Sequence, residues 1–284
     1  MRKTILSFSV AAVAAVPIFA SAQQAAPAAP QSPHTFTGNM TLVSDYRFRG
    51  ISQTFGMPAL QGGFDYSHAS GIYLGNWNSN VSETAGYPNG NIEMDFYGGF
   101  KKSWGDWGLD LGFIYYYYPG SNAAGNGNYK VANPLDTAGH TGAGFVKNEE
   151  IYIGASWKWL SAKYYRSVSD YFSVPNTTGS NYIDLSASYD IGSGWGVNAH
   201  LGRLHVENFP GASYNDYKLG VTKDVSGWVY GASLIGTTAA MDGSCATAGT
   251  SMTYHFCKLD TAGAPSKDLK AGKNTVVFSL GKSF

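Results

Sequence analysis

The chain has 284 residues, equal numbers of basic and acidic side chains (Lys+Arg 19, Asp+Glu 19) and only two cysteines. That balance excludes a basic field for nucleic acid, and the cysteine count excludes a disulfide framework or a zinc cluster. Aromatic residues reach 15%, with 20 Tyr, and Gly counts 36, while charged residues fall to 13%, about half the ~25% usual in soluble domains.

In chain order, Arg2 and Lys3 precede an apolar stretch at 5–20, and Ala20-Ser21-Ala22 fits a small-x-small cleavage site. Residues 1–22 therefore read as a signal peptide, and the segment is short for a membrane anchor. Its loss removes Arg2 and Lys3 and leaves the mature chain slightly acidic. Residues 23–35, rich in Pro, Ala and Gln, read as a disordered periplasmic lead-in. Residues 36–284 read as one barrel domain. No later run reaches the roughly 18 apolar residues of a spanning helix.

From Phe36 onward the dominant period is two, the period of a strand with two unlike faces. Phe36, Met40 and Leu42 oppose Thr37, Asn39, Thr41 and Val43. Ile92, Met94 and Phe96 oppose Glu93, Asp95 and Tyr97, and Ile151, Ile153, Ala155 and Trp157 oppose Tyr152, Gly154, Ser156 and Lys158. Ile183, Leu185 and Tyr189 oppose Asp184, Ser186, Ser188 and Asp190. At the end, Val276, Phe278, Leu280 and Phe284 oppose Val277, Ser279, Gly281 and Ser283, with Lys282 free to snorkel at an interface. Strands are predicted to start near Phe36, Ala59, Gly71, Asn91, Trp107, Asn148, Ser161, Asn181, Trp195, Tyr214, Trp228 and Asn274.

Tight connections at 68–70, 103–106, 159–160, 191–194 and 225–227 alternate with long Gly/Asn-rich ones at 50–58, 79–90, 119–147, 172–180, 206–213 and 237–273. Such alternation is the pattern of periplasmic turns and extracellular loops. The fold class is therefore all-β: a transmembrane antiparallel β-barrel of about twelve strands in the cell outer membrane, both termini periplasmic. A spanning segment must satisfy its own amides, and without helices only closure does so.

Ser44-Asp45-Tyr46-Arg47-Phe48-Arg49-Gly50-Ile51-Ser52-Gln53-Thr54 resembles the opening motif of the TorF family of porins. Similar stretches follow at Pro58-Ala59-Leu60-Gln61-Gly62-Gly63, Gly71-Ile72-Tyr73-Leu74-Gly75-Asn76-Trp77, Glu93-Met94-Asp95-Phe96-Tyr97-Gly98-Gly99 and Tyr117-Tyr118-Pro119-Gly120. They cover the first half of the mature chain and thin out beyond it. The resemblance implies an outer-membrane, porin-like barrel and supplies neither a substrate nor a catalytic set.

Asp45, Arg47 and Arg49 stand two apart, so as an extension of the first strand they share its lumen face with Thr41 and Val43. They are read either as an anion-attracting ring near the outer mouth or as a ladder in which the arginines pair with Asp45, Glu93 or Asp95. In the run Tyr115 to Tyr118, alternation sends two rings outward and two into the lumen, as filler or as a stacking surface. Cys245 and Cys257 read as a disulfide in the last long loop, adding roughly 3 kcal/mol in a chain-entropy account.

The functional reading is a narrow porin-like channel for passive diffusion of small hydrophilic solutes or ions. The alternative is a closed barrel whose loops serve binding, adhesion or envelope stability. No motif marks an enzyme, a cofactor or a metal site, and a hydrolase is the third reading. The partners read from the sequence are outer-membrane lipid and lipopolysaccharide, with no nucleic acid; a homo-oligomer is left open.

Overall fold

The computed structural model describes residues 32–85, 87, 89–123, 144–208, 210–239, 257–259 and 265–284. The predicted signal peptide and most of the predicted lead-in lie outside the described residues. So does Cys245, and with it the expected disulfide to Cys257.

Twelve strands close into an antiparallel barrel. The wall is built from β1 (His34–Val43), β4 (Ala59–His68), β5 (Ile72–Asn80), β6 (Ile92–Trp104), β7 (Trp107–Tyr117), β8 (Lys147–Trp157), β9 (Leu160–Ser167), β10 (Asn181–Gly192), β11 (Trp195–His205), β12 (Tyr214–Val225), β13 (Trp228–Thr237) and β16 (Thr275–Ser283). Each begins within two residues of its predicted start. Two short hairpins sit in long connections: β2 (Arg47–Phe48) with β3 (Ile51–Ser52), and β14 (Cys257–Leu259) with β15 (Pro265–Lys270). Closure is made by β1 against β16, with Asn39 opposite Ser283 and Val43 opposite Ser279. Consecutive wall strands pair with their neighbours in sequence throughout, so the barrel is up-and-down.

The alternation in sequence becomes the inside and outside of the wall. Phe36, Phe64, Leu201, Leu219 and Phe278 point outward and are exposed, an arrangement that costs free energy in water and none in hydrocarbon. Every tryptophan except Trp77 lies beside a short turn: Trp104, Trp107, Trp157, Trp159, Trp195 and Trp228. Lysines lie over several of these rings, Lys158 over Trp157 at 4.6 Å, Lys223 over Trp195 at 5.0 Å and Lys282 over Trp228 at 4.9 Å. An amphipathic ring with a cation on its face suits a membrane–water boundary. Among the described residues no helix is long and apolar enough to cross a membrane.

Candidate functional site

The first long connection corrects the placement of three predicted residues. Asp45, Arg47 and Arg49 do not continue the face of the first strand, because β1 ends at Val43 and the chain turns into the lumen. The cause is local. Arg49 (φ 46) and Gly50 (φ 79) are two successive left-handed residues, the requirement of a two-residue hairpin turn whose twist matches its strands. A Cβ at Gly50 would lie 2.4 Å from Thr237 Cγ2 and 2.8 Å from the Asp216 Cβ, so the turn also needs glycine to press against the wall. Every residue from Asp45 to Thr54 is buried.

Polar contacts hold this hairpin inside the barrel. Arg47 Nε donates to Asp45 Oδ2 at 2.6 Å, and its Nη1 donates to the Ala271 carbonyl at 2.7 Å. Asp45 Oδ1 also accepts from Ser52 Oγ, Thr54 Oγ1 and the Gly56 amide. Arg49 reaches across the lumen to β8 and grips Glu150 with its two terminal guanidinium nitrogens, at 2.7 and 3.1 Å. Its charge lies over the ring of Tyr182 at 4.2 Å. Tyr46 donates to Glu93 at 2.8 Å and meets Trp77 edge-on. Phe48 packs against Tyr116 and Phe172. Tyr116 and Tyr118, the inward pair of the tyrosine run, are fully buried and fill space, while Tyr115 and Tyr117 stack on each other at 5.8 Å.

The five predicted charged residues thus share one region. Asp45 joins Arg47, as the ladder reading expected, but Arg49 takes Glu150 rather than Glu93 or Asp95. Glu93 and Asp95 on β6 are fully buried, and neither oxygen of Asp95 has a hydrogen-bond partner among the described residues. Sequence reasoning missed Glu150 and Tyr182. The signal for Glu150 was present, because it shares the inward parity of Tyr152. Its neighbour Glu149 points outward and pairs with Lys147 at 3.0 Å.

Nearer the short turns, a second polar layer crosses the lumen. Tyr73 donates to Asp110 at 2.6 Å and contacts the Tyr152 hydroxyl, and Lys163 donates to Asp110 at 2.6 Å. His200 lies between Asp216 (Nε2 to Oδ1, 2.8 Å) and Asp184 (Nδ1 to Oδ1, 3.3 Å). Ser186 is 3.2 Å from His200 Nδ1 but donates its hydroxyl to Asp184 at 2.6 Å. That hydroxyl is committed to a carboxylate, and the group forms an ion-pair network rather than a primed nucleophile.

The two sides of the lumen differ in bulk. Trp77, Tyr97, Tyr116, Tyr152, Tyr165 and Tyr182 crowd the β5–β10 side. The opposite side offers Thr41, Asn198, Thr222, Ser233 and Ser279, with Lys218 and the apolar Val43, Ile235 and Val277 among them, around a recess of about 20 Å³. Such a volume holds roughly one water.

Residues 27–284 match a protein family described as a bacterial protein of unknown function, Gcw_chp. The chain belongs to that family. The Gcw_chp description assigns no activity, and no curated protein matches the chain. Among solved structures, a KdgM porin in complex with disordered oligogalacturonate is similar at 5% identity and a TM-score of 0.47, covering 88% of this chain and 98% of that one. OmpT of Vibrio cholerae is similar at 10% identity and a TM-score of 0.40, covering 90% and 99%. OccAB3 of Acinetobacter baumannii is similar at 11% identity and a TM-score of 0.39, covering 90% and 65%.

Proposed function

We propose that this Gcw_chp protein is an outer-membrane, porin-like channel of narrow bore, passing small hydrophilic solutes or ions by diffusion. One observation carries the reading: the side of the lumen facing away from the aromatic wall lacks large rings on β1, β11, β12, β13 and β16 and is polar at Thr41, Asn198, Thr222, Ser233 and Ser279, with Val43, Ile235 and Val277 between them. A barrel built only as a scaffold gains more by filling that side with apolar bulk. Small polar linings hold water instead, and water is the medium a hydrophilic solute needs. The resemblance of the opening motif to the TorF porins supports the same reading. An apolar outer band and Trp–Lys boundary support residence in the outer membrane, with the short turns periplasmic.

The sign of the pore follows from the pairing. Arg47 and Arg49 are each spent on a carboxylate, so they do not form an anion-attracting ring. Glu93 and Asp95 have no cation paired with them among the described residues. Both are fully buried, away from the small-residue side, where Lys218 stands, so a weak anion preference is expected.

The test is a planar lipid bilayer holding the refolded mature protein, with current recorded under a salt gradient. Stepwise conductance supports the proposal, and an anion-directed reversal potential supports its sign. Silence from protein shown to be folded and inserted favours the closed, loop-presenting barrel, a reading to which the buried hairpin also lends support.

A further inference from the structure

Outside the lumen, the first two wall strands bring a pair of histidines together at the short-turn rim. His34 opens β1 and His68 closes β4, and the two are directly opposite in the antiparallel register. Both share the outward parity of Phe36 and Phe64. Their ring centroids are 5.1 Å apart. His34 is exposed and His68 is half-exposed.

We propose that His34 and His68 form a binding site for a divalent transition-metal ion. Imidazole is a favoured ligand of zinc, copper and nickel. With metal–nitrogen bonds of about 2.0–2.1 Å, two imidazoles on one tetrahedral ion hold their centroids roughly 5 Å apart. The observed spacing meets that without moving the backbone. The second nitrogens are engaged by neighbours that orient the rings: His34 Nδ1 lies 2.9 Å from the Tyr66 hydroxyl, and His68 Nδ1 lies 2.8 Å from Ser70 Oγ. Such hydroxyls accept the Nδ1 proton and leave Nε2 for the metal. The Ser70 amide also donates to His68 Nδ1 at 3.2 Å, so metal binding through Nε2 places the His68 proton on Nδ1 and breaks that one contact. Neither Nε2 has a hydrogen-bond partner among the described residues. No group of three ligating side chains forms there among the described residues, so water completes the coordination.

The experiment uses untagged mature protein in detergent micelles, titrated with Cu²⁺ and followed by calorimetry and by the nitrogen splitting in its electron paramagnetic resonance spectrum. One ion per chain with two-nitrogen splitting is expected. His34→Ala or His68→Ala should each weaken binding at least tenfold, while His205→Ala, at another part of the barrel, leaves it unchanged. Retained binding in both single variants, or equal loss in His205→Ala, overturns the site. Heat-dependent gel migration, run on each variant, separates loss of ligand from loss of fold.

Discussion

Arg49 shows how one side chain fixes the state of a lumen. Its guanidinium and the Glu150 carboxylate are 3% and 0% exposed, so neither charge can fall back on bulk water. Removing one partner of such a pair leaves the other buried and uncompensated, at a cost of about 3–5 kcal/mol. Arg49→Ala is therefore expected to lower unfolding stability in micelles by that order, read from urea titration. Arg49→Lys should recover only part of it, because an ammonium cannot match the two-pronged grip on the carboxylate. The double change Arg49→Met with Glu150→Gln removes both charges, and it should cost less than Arg49→Ala alone. The side chain was legible as functional from its place in an arginine-rich motif. Its partner was not, since Glu150 lies far away in sequence and only strand register brings the two together.

The hairpin formed by β2 and β3 is the element that narrows the barrel. It is anchored to the wall by Arg49 on Glu150 and Tyr46 on Glu93, and to the connection before β16 by Arg47 and the Ser52 amide, both donating to the Ala271 carbonyl, while the Arg47–Asp45 pair is internal to it. Replacing residues 45–54 with a short Gly/Ser turn should leave the wall strands paired and raise single-channel conductance several-fold. Unchanged conductance in a folded variant would mean that the hairpin does not set the bore. In the sequence this segment looked like more strand, because Asp45, Arg47 and Arg49 keep the spacing of two. What diverts it is the pair of left-handed residues at Arg49 and Gly50. A turn of that kind is usually announced by Asn-Gly or Asp-Gly, and an arginine in the first place hides it.

For the molecule as a whole, the lipid-facing belt and the lumen answer to different solvents, so equivalent changes on the two faces should have opposite consequences. Leu219→Arg, in the middle of β12 and facing outward, is expected to destabilise the inserted barrel by about 2–4 kcal/mol in a lipid-bilayer folding titration. Ser233→Lys, on the small-residue side of the lumen, should leave stability near that of the parent and move the reversal potential toward anions in the bilayer recording. What the sequence determined by itself was the closed barrel of twelve strands and the boundaries of its wall. Alternation and loop length are local properties, and a backbone with no water to bond must close. Tertiary structure alone decided what fills the barrel. The inward hairpin, the Arg49–Glu150 pair across the lumen and the meeting of His34 with His68 depend on which strands lie opposite. Local patterning is silent about distance across the chain, and register supplies it.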